Sequence, residues 1–108
     1  MVTESVIKNV RNYLACLSAS GIHPTQAVLF GSFARNEEHQ WSDIDVVVIA
    51  REFDGQPNRE LVKSLWRVTL KADVRIEPIP CGVEEWENNH KRPILDIARQ
   101  EGVVIYPS

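Results

Sequence analysis

Two short apolar runs, Ala27-Val28-Leu29-Phe30 and Val46-Val47-Val48-Ile49-Ala50, stand on either side of a polar stretch that opens Gly31-Ser32 and closes Ser42-Asp43-Ile44-Asp45. Runs this short, rich in β-branched residues and bounded by turn signals, read as buried strands. One strand therefore delivers the chain to a Gly-Ser turn. A second begins with two aspartates one residue apart.

Each half of the stretch has a chemical meaning. Glycine allows a sharp turn and a close backbone approach to a ligand, with no Cβ in the way. Ser32 can cap a following helix, and the free N–H groups of a helix start favour an anion such as phosphate. Side chains alternate along a strand, so Asp43 and Asp45 share one face while Ile44 points to the other. Their backbones stand about 6.6 Å apart, close enough for both carboxylates to converge on a hard divalent cation. A phosphate cradle beside a metal-binding carboxylate pair is what nucleotidyl transfer requires. Alone, either half has a plainer reading: strand-edge aspartates that cap a loop, or a turn with a helix cap.

The string GSFAR, then SDID and an apolar strand, resembles the minimal nucleotidyltransferases of the polymerase β-like superfamily, whose domains are about as long as this chain. One departure is visible: many relatives carry glycine after the arginine, where this chain has Asn36. Asparagine tolerates a left-handed backbone better than most residues, so the turn is expected to survive. The resemblance implies an α/β (α+β) fold, a small mixed sheet with helices packed mainly on one side. It also implies a third carboxylate on a later strand. By position that is Asp73, with Glu77 on the same strand face in reserve. Two Mg²⁺ ions are implied among Asp43, Asp45 and Asp73, with Gly31 and Ser32 on the β- and γ-phosphates of ATP.

Arg35, about one helical turn past Ser32, is expected to reach the triphosphate or to pair with a local acid such as Glu37. The implied reaction moves a nucleoside monophosphate, AMP from ATP, to an acceptor hydroxyl. Relatives of this size pair with a helical HEPN-type toxin and act as its antitoxin by adenylylating it. Others serve as catalytic subunits on small molecules such as aminoglycosides. A rival of another class is a non-catalytic antitoxin that masks its partner by contact.

The whole chain sets bounds on these readings. Its 108 residues are expected to form one domain, 1–108. A formal charge of −3 argues against a broad electrostatic grip on nucleic acid. Cys16 and Cys81 have neither metal-ligand spacing nor a disulfide framework, which suits a reduced, cytoplasmic setting. No apolar run approaches the roughly 18 residues of a membrane span. His23, His39 and His90 show no metal spacing, and only His39 is placed to approach a substrate. Oligomerisation is left open.

In chain order, Thr3 caps a first helix with Val6, Ile7, Val10, Leu14 and Leu17 on its buried side, and Gly21 stops it. Residues 58–71 form a crossover helix that buries Leu61, Val62, Leu65, Trp66 and Thr69. Its basic stripe Arg59, Lys63, Arg67 and Lys71 is either a solvated face or a dock for an acidic partner. A third strand is expected over 73–79, ended by Pro78 and Pro80. Glu84 to Asn89 make a helical turn, and a final helix over 94–101 leads to a last strand over 103–106. Trp41, Trp66 and Trp86 are expected to pack rather than stack on a base.

Overall fold

The two apolar runs pair with each other. In the computed structural model, which describes residues 3–39, 42–55 and 58–107, β1 (Pro24–Phe30) and β2 (Ile44–Ala50) run antiparallel, with Leu29 opposite Val46 and Phe30 opposite Asp45. A crossover through helix α2 (Arg59–Thr69) brings β3 (Ile76–Cys81) parallel to β2. The chain ends with β4 (Val103–Ile105) antiparallel to β1, giving the four-stranded order β3-β2-β1-β4. β1 and β2 are central, which is why their side chains are apolar on both faces.

Alternation along those strands builds two cores. Ala27, Leu29, Val46 and Val48 meet α1 (Glu4–Ala19) and α2 through Val10, Leu14, Leu17, Leu65 and Val68. Val28, Phe30, Val47 and Ile49 meet the shorter α3 (Val83–Asn88) and α4 (Pro93–Glu101) through Val83, Trp86, Leu95 and Ala98. The two longer helices thus cover one face, and the two shorter ones cover the other. Full burial of a side chain such as Leu14 stabilises the fold by about 1.5–3 kcal/mol. Tyr13 is buried as well, and its hydroxyl donates to the Leu65 carbonyl at 2.8 Å, so α1 and α2 are locked without an orphaned polar atom.

The helix starts follow local chemistry. Thr3 Oγ1 accepts the Val6 N–H at 3.4 Å, and Asn58 Oδ1 accepts the Glu60 N–H at 2.9 Å. Among the described residues, no helix is long and apolar enough to cross a membrane.

Four expectations are corrected. β3 begins at Ile76 rather than Asp73 and runs through Pro78 and Pro80. It is an edge strand, so a missing N–H costs nothing on the unpaired side. Trp66 is 48% exposed on the outside of α2, where Val68 takes the inward position. After Ser32 the chain forms turns over 31–36 instead of a helix. The last strand stops at Ile105, leaving Tyr106 exposed. Trp41 lies outside the described residues.

Candidate functional site

The end of β1 and the start of β2 form one edge of the sheet, and the Phe30–Asp45 register sets Gly31 against Asp45. Gly31 has φ +77° and is buried. A Cβ built on it would collide with Asp45 Oδ2, so only glycine allows the turn and the carboxylate to lie together. The turn is closed by the Arg35 N–H on the Gly31 carbonyl at 3.1 Å and the Glu37 N–H on the Ser32 carbonyl at 2.8 Å. Asn36 takes φ +58°, the left-handed role that relatives give to glycine. Ser32 sits half-buried at the head of this turn.

Asp43 lies exposed just before β2, and Asp45 is half-buried within it. Ser42 prepares this entry: its Oγ accepts the His39 N–H at 2.8 Å while its own N–H donates to the His39 carbonyl at 3.0 Å. The parallel register pairs Asp45 with Glu77 of β3. Desolvation, and then the charge of Asp43, raise the Asp45 pKa above the ordinary carboxylate range. Glu77 is raised by the same two causes in the same order, and it shares hydrogen bonds with Asp43 and Asp45. The three carboxylates repel one another, which favours a proton or a cation among them.

These are hard oxygen donors with unrelieved negative charge, which is the chemistry a divalent cation fits. Among the described residues no three acidic, histidine or cysteine side chains yet form a closed metal-binding group. A cation would have to draw the carboxylates together.

Asp73 is not brought into this group. It precedes β3, and its carboxylate takes the backbone N–H of Arg75 at 3.0 Å, Arg75 Nε at 3.1 Å and Nη2 at 2.7 Å, and Asn9 Nδ2 at 3.2 Å. Hydrogen bonding from Arg75 is the main reason its pKa is lowered. Arg75 in turn lies over the Phe33 ring, 5.8 Å from its centroid. Asp73 therefore joins α1 to the entry of β3, and the carboxylate in register with Asp45 is Glu77. β3 starts three residues later than its sequence pattern suggests, and that delay moves the aspartate off the strand.

Arg35 pairs with Glu37 as expected, Nε to Oε1 at 3.3 Å, and also with a residue that the sequence pattern does not single out. Its Nη1 donates to Glu101 Oε1 at 3.0 Å and Oε2 at 3.2 Å. The Gly31 N–H donates to the same Oε1 at 2.9 Å. Nothing in local sequence points to Glu101, which ends α4 seventy residues on.

A cleft of about 800 Å³ lies elsewhere, at the far ends of β2 and β3. It is lined by Phe53, Asp54, Pro80, Gly82, Glu84 and Arg92 among others, and by none of Gly31, Ser32, Asp43, Asp45 or Glu77. At the carboxylate edge, Asp43 and Glu77 are exposed and Asp45 is half-buried. On α2, Arg59, Lys63, Arg67 and Lys71 are all exposed, with Lys63 Nζ 3.6 Å from Glu60.

Comparison with known proteins bears on this geometry. A family model described as a nucleotidyltransferase domain matches residues 7–103. A Methanocaldococcus jannaschii protein named "Putative protein adenylyltransferase" is 34% identical over 55 residues, which are 50% of this chain and 56% of that protein. The match thus spans little more than half of that relative's length. Among solved structures, a "putative nucleotidyltransferase" from Sulfolobus solfataricus superposes with a TM-score of 0.60 at 17% identity, over 91% of this chain and 77% of that one. A chain from a toxin–antitoxin crystal structure with AMP-PNP gives 0.62 at 17% identity, over 91% and 73%. At that identity the two structures speak to the fold alone.

Proposed function

The chain belongs to the nucleotidyltransferase domain family, and from that premise we propose that it transfers AMP from ATP to a hydroxyl group on a partner protein. The observation that carries this reading is the contact of the Gly31 turn with Asp45, which sets a side-chain-free backbone turn against a carboxylate under repulsion. Asp43, Asp45 and Glu77 would hold the Mg²⁺ ions, two by the family resemblance. When bound, such ions activate an attacking hydroxyl and stabilise departing pyrophosphate.

The chain's own residues supply position. The Gly31-Ser32 turn holds the β- and γ-phosphates, and Arg35 places a cation beside them. Partial burial of Asp45 lowers the local dielectric, so each of these charge contacts counts for more than it would in water. Most of the acceleration then comes from alignment for in-line displacement.

A protein acceptor is favoured over a small molecule because Asp43 is exposed to solvent and the cleft of about 800 Å³ is lined by none of the carboxylates of the site. The name of the archaeal relative and the toxin–antitoxin neighbour agree with a partner of that kind, for which a helical HEPN-type protein is the expectation. The test is incubation with ATP labelled at the α-phosphate, Mg²⁺ and the product of the adjacent gene. Label on that partner, absent with Asp45→Asn, is the expected result. Tight Mg²⁺-ATP binding with no label on any partner would reject transfer in favour of a masking antitoxin.

A further inference from the structure

We propose that Glu101 is a built-in anion that occupies the phosphate cradle and competes there with the triphosphate, an inference that rests on reading the Gly31–Arg35 turn as that cradle. Glu101 Oε1 accepts the Gly31 N–H at 2.9 Å and Arg35 Nη1 at 3.0 Å, while Oε2 accepts the same Nη1 at 3.2 Å. A backbone N–H from a glycine turn and an arginine guanidinium are the donors that a phosphate oxygen would take. A carboxylate offers them the same charge and acceptor geometry. The two anions compete for those donors, because one Gly31 N–H and one Arg35 Nη1 cannot serve both and their charges repel.

The fold holds Glu101 at that place. It is the last residue of α4, and the Gly102 N–H closes on the Ala98 carbonyl at 2.8 Å. A Cβ on Gly102 would collide with that carbonyl and with Val28 Cγ1, so the chain passes tightly over β1 and leaves Glu101 above the end of that strand. Leu95 and Ala98 anchor the helix in the core beneath. The side chain itself is not trapped, since it is 25% exposed and can rotate outward when an anion arrives. Its charge also adds to the repulsion at Asp45. The empty cradle is therefore satisfied, and a triphosphate binds only by displacing Glu101. A purely positioning role, in which Glu101 orients Arg35 for the phosphate, makes the opposite forecast for affinity.

Glu101→Gln separates the two, since glutamine can still accept the Gly31 N–H but no longer neutralises Arg35. Titration calorimetry with metal-free tripolyphosphate and with Mg²⁺-ATP should show the variant binding both about tenfold more tightly than the wild type. In an Arg35→Gln background most of that gain should vanish. Equal or weaker binding by Glu101→Gln would overturn the proposal. A second measurement needs no variant: in the wild type, the Glu101 carboxyl carbon resonance should move to its solvent-exposed position as tripolyphosphate shifts the Gly31 amide. A saturated Gly31 shift with Glu101 unmoved would overturn it too. Transfer of labelled AMP is scored separately. Tighter binding by the variant with no transfer by either protein supports the competition and rejects the transferase reading. Normal transfer with unchanged affinity rejects the competition alone, and absence of binding by every form rejects both.

Discussion

Two acids four residues apart near the start of β3, Asp73 and Glu77, are treated in opposite ways by the protein. Asp73 is surrounded by donors: Arg75 through its backbone and guanidinium, and Asn9 from α1. Its pKa is lowered, which marks a carboxylate content with its charge. Asp45 and Glu77 face each other and Asp43, and both are raised by desolvation and then by Asp43. The difference teaches that placement near a site does not make a ligand. A carboxylate already satisfied by protein gains little from a metal ion, whereas a set that repels gains much.

The largest effect should come from attacking the backing of the unsatisfied group. Gly31→Val puts a branched side chain into Asp45 at a φ of +77°, where L residues are disfavoured by roughly 1–2 kcal/mol before any collision. Calorimetry should find Mg²⁺-ATP binding lost beyond detection, and a wild-type affinity would mean the turn is not part of the site. Next comes the satisfied group. Asp73→Ala leaves Arg75 and Asn9 without their acceptor and should cost roughly 1.5–3 kcal/mol in urea denaturation; a loss below about 0.5 kcal/mol would show the network to be loose.

A smaller change of opposite sign is expected at Asp45. Asp45→Asn relieves repulsion, so the metal-free protein should be as stable as the wild type or gain up to about 1 kcal/mol, while Mg²⁺-ATP no longer raises its melting temperature. Clear destabilisation of the metal-free variant would mean Asp45 is held by donors after all. The smallest effect is in the pH dependence. Asp73 has a depressed folded pKa, so its stabilisation is complete above its unfolded value near 3.9 and is lost as pH falls through the folded value. The stability gap between wild type and Asp73→Asn should therefore close on acidification below about pH 4. A gap that widens there would reverse the assignment.

Much of this was readable from the residues. The central strands announce themselves because both faces of β1 and β2 are buried, and Thr3, Asn58 and Gly21 punctuate the helices by local chemistry alone. The Gly31–Asp45 contact follows from a hairpin-like pairing whose register the apolar runs fix. What was hidden depends on edges and distance. Pro78 and Pro80 argue against a strand unless it lies at the sheet edge, so the residue pattern alone starts β3 three residues early and sets Asp73 on it. Trp66 kept an outward position that helical spacing alone does not reveal. Glu101 could not be read at all, because its partners are Gly31 and Arg35 across the fold.

The central claim is that Glu77, not Asp73, completes the ion site with Asp43 and Asp45. The direct test is the rise in melting temperature given by saturating Mg²⁺-ATP for wild type, Glu77→Gln and Asp73→Asn. At a ligand concentration near 100 times Kd the wild type should gain about 2.7 kcal/mol, a rise of several degrees. Asp73→Asn should start lower and keep that rise, while Glu77→Gln should start near the wild type and lose most of it. A full rise in Glu77→Gln together with none in Asp73→Asn would contradict the account.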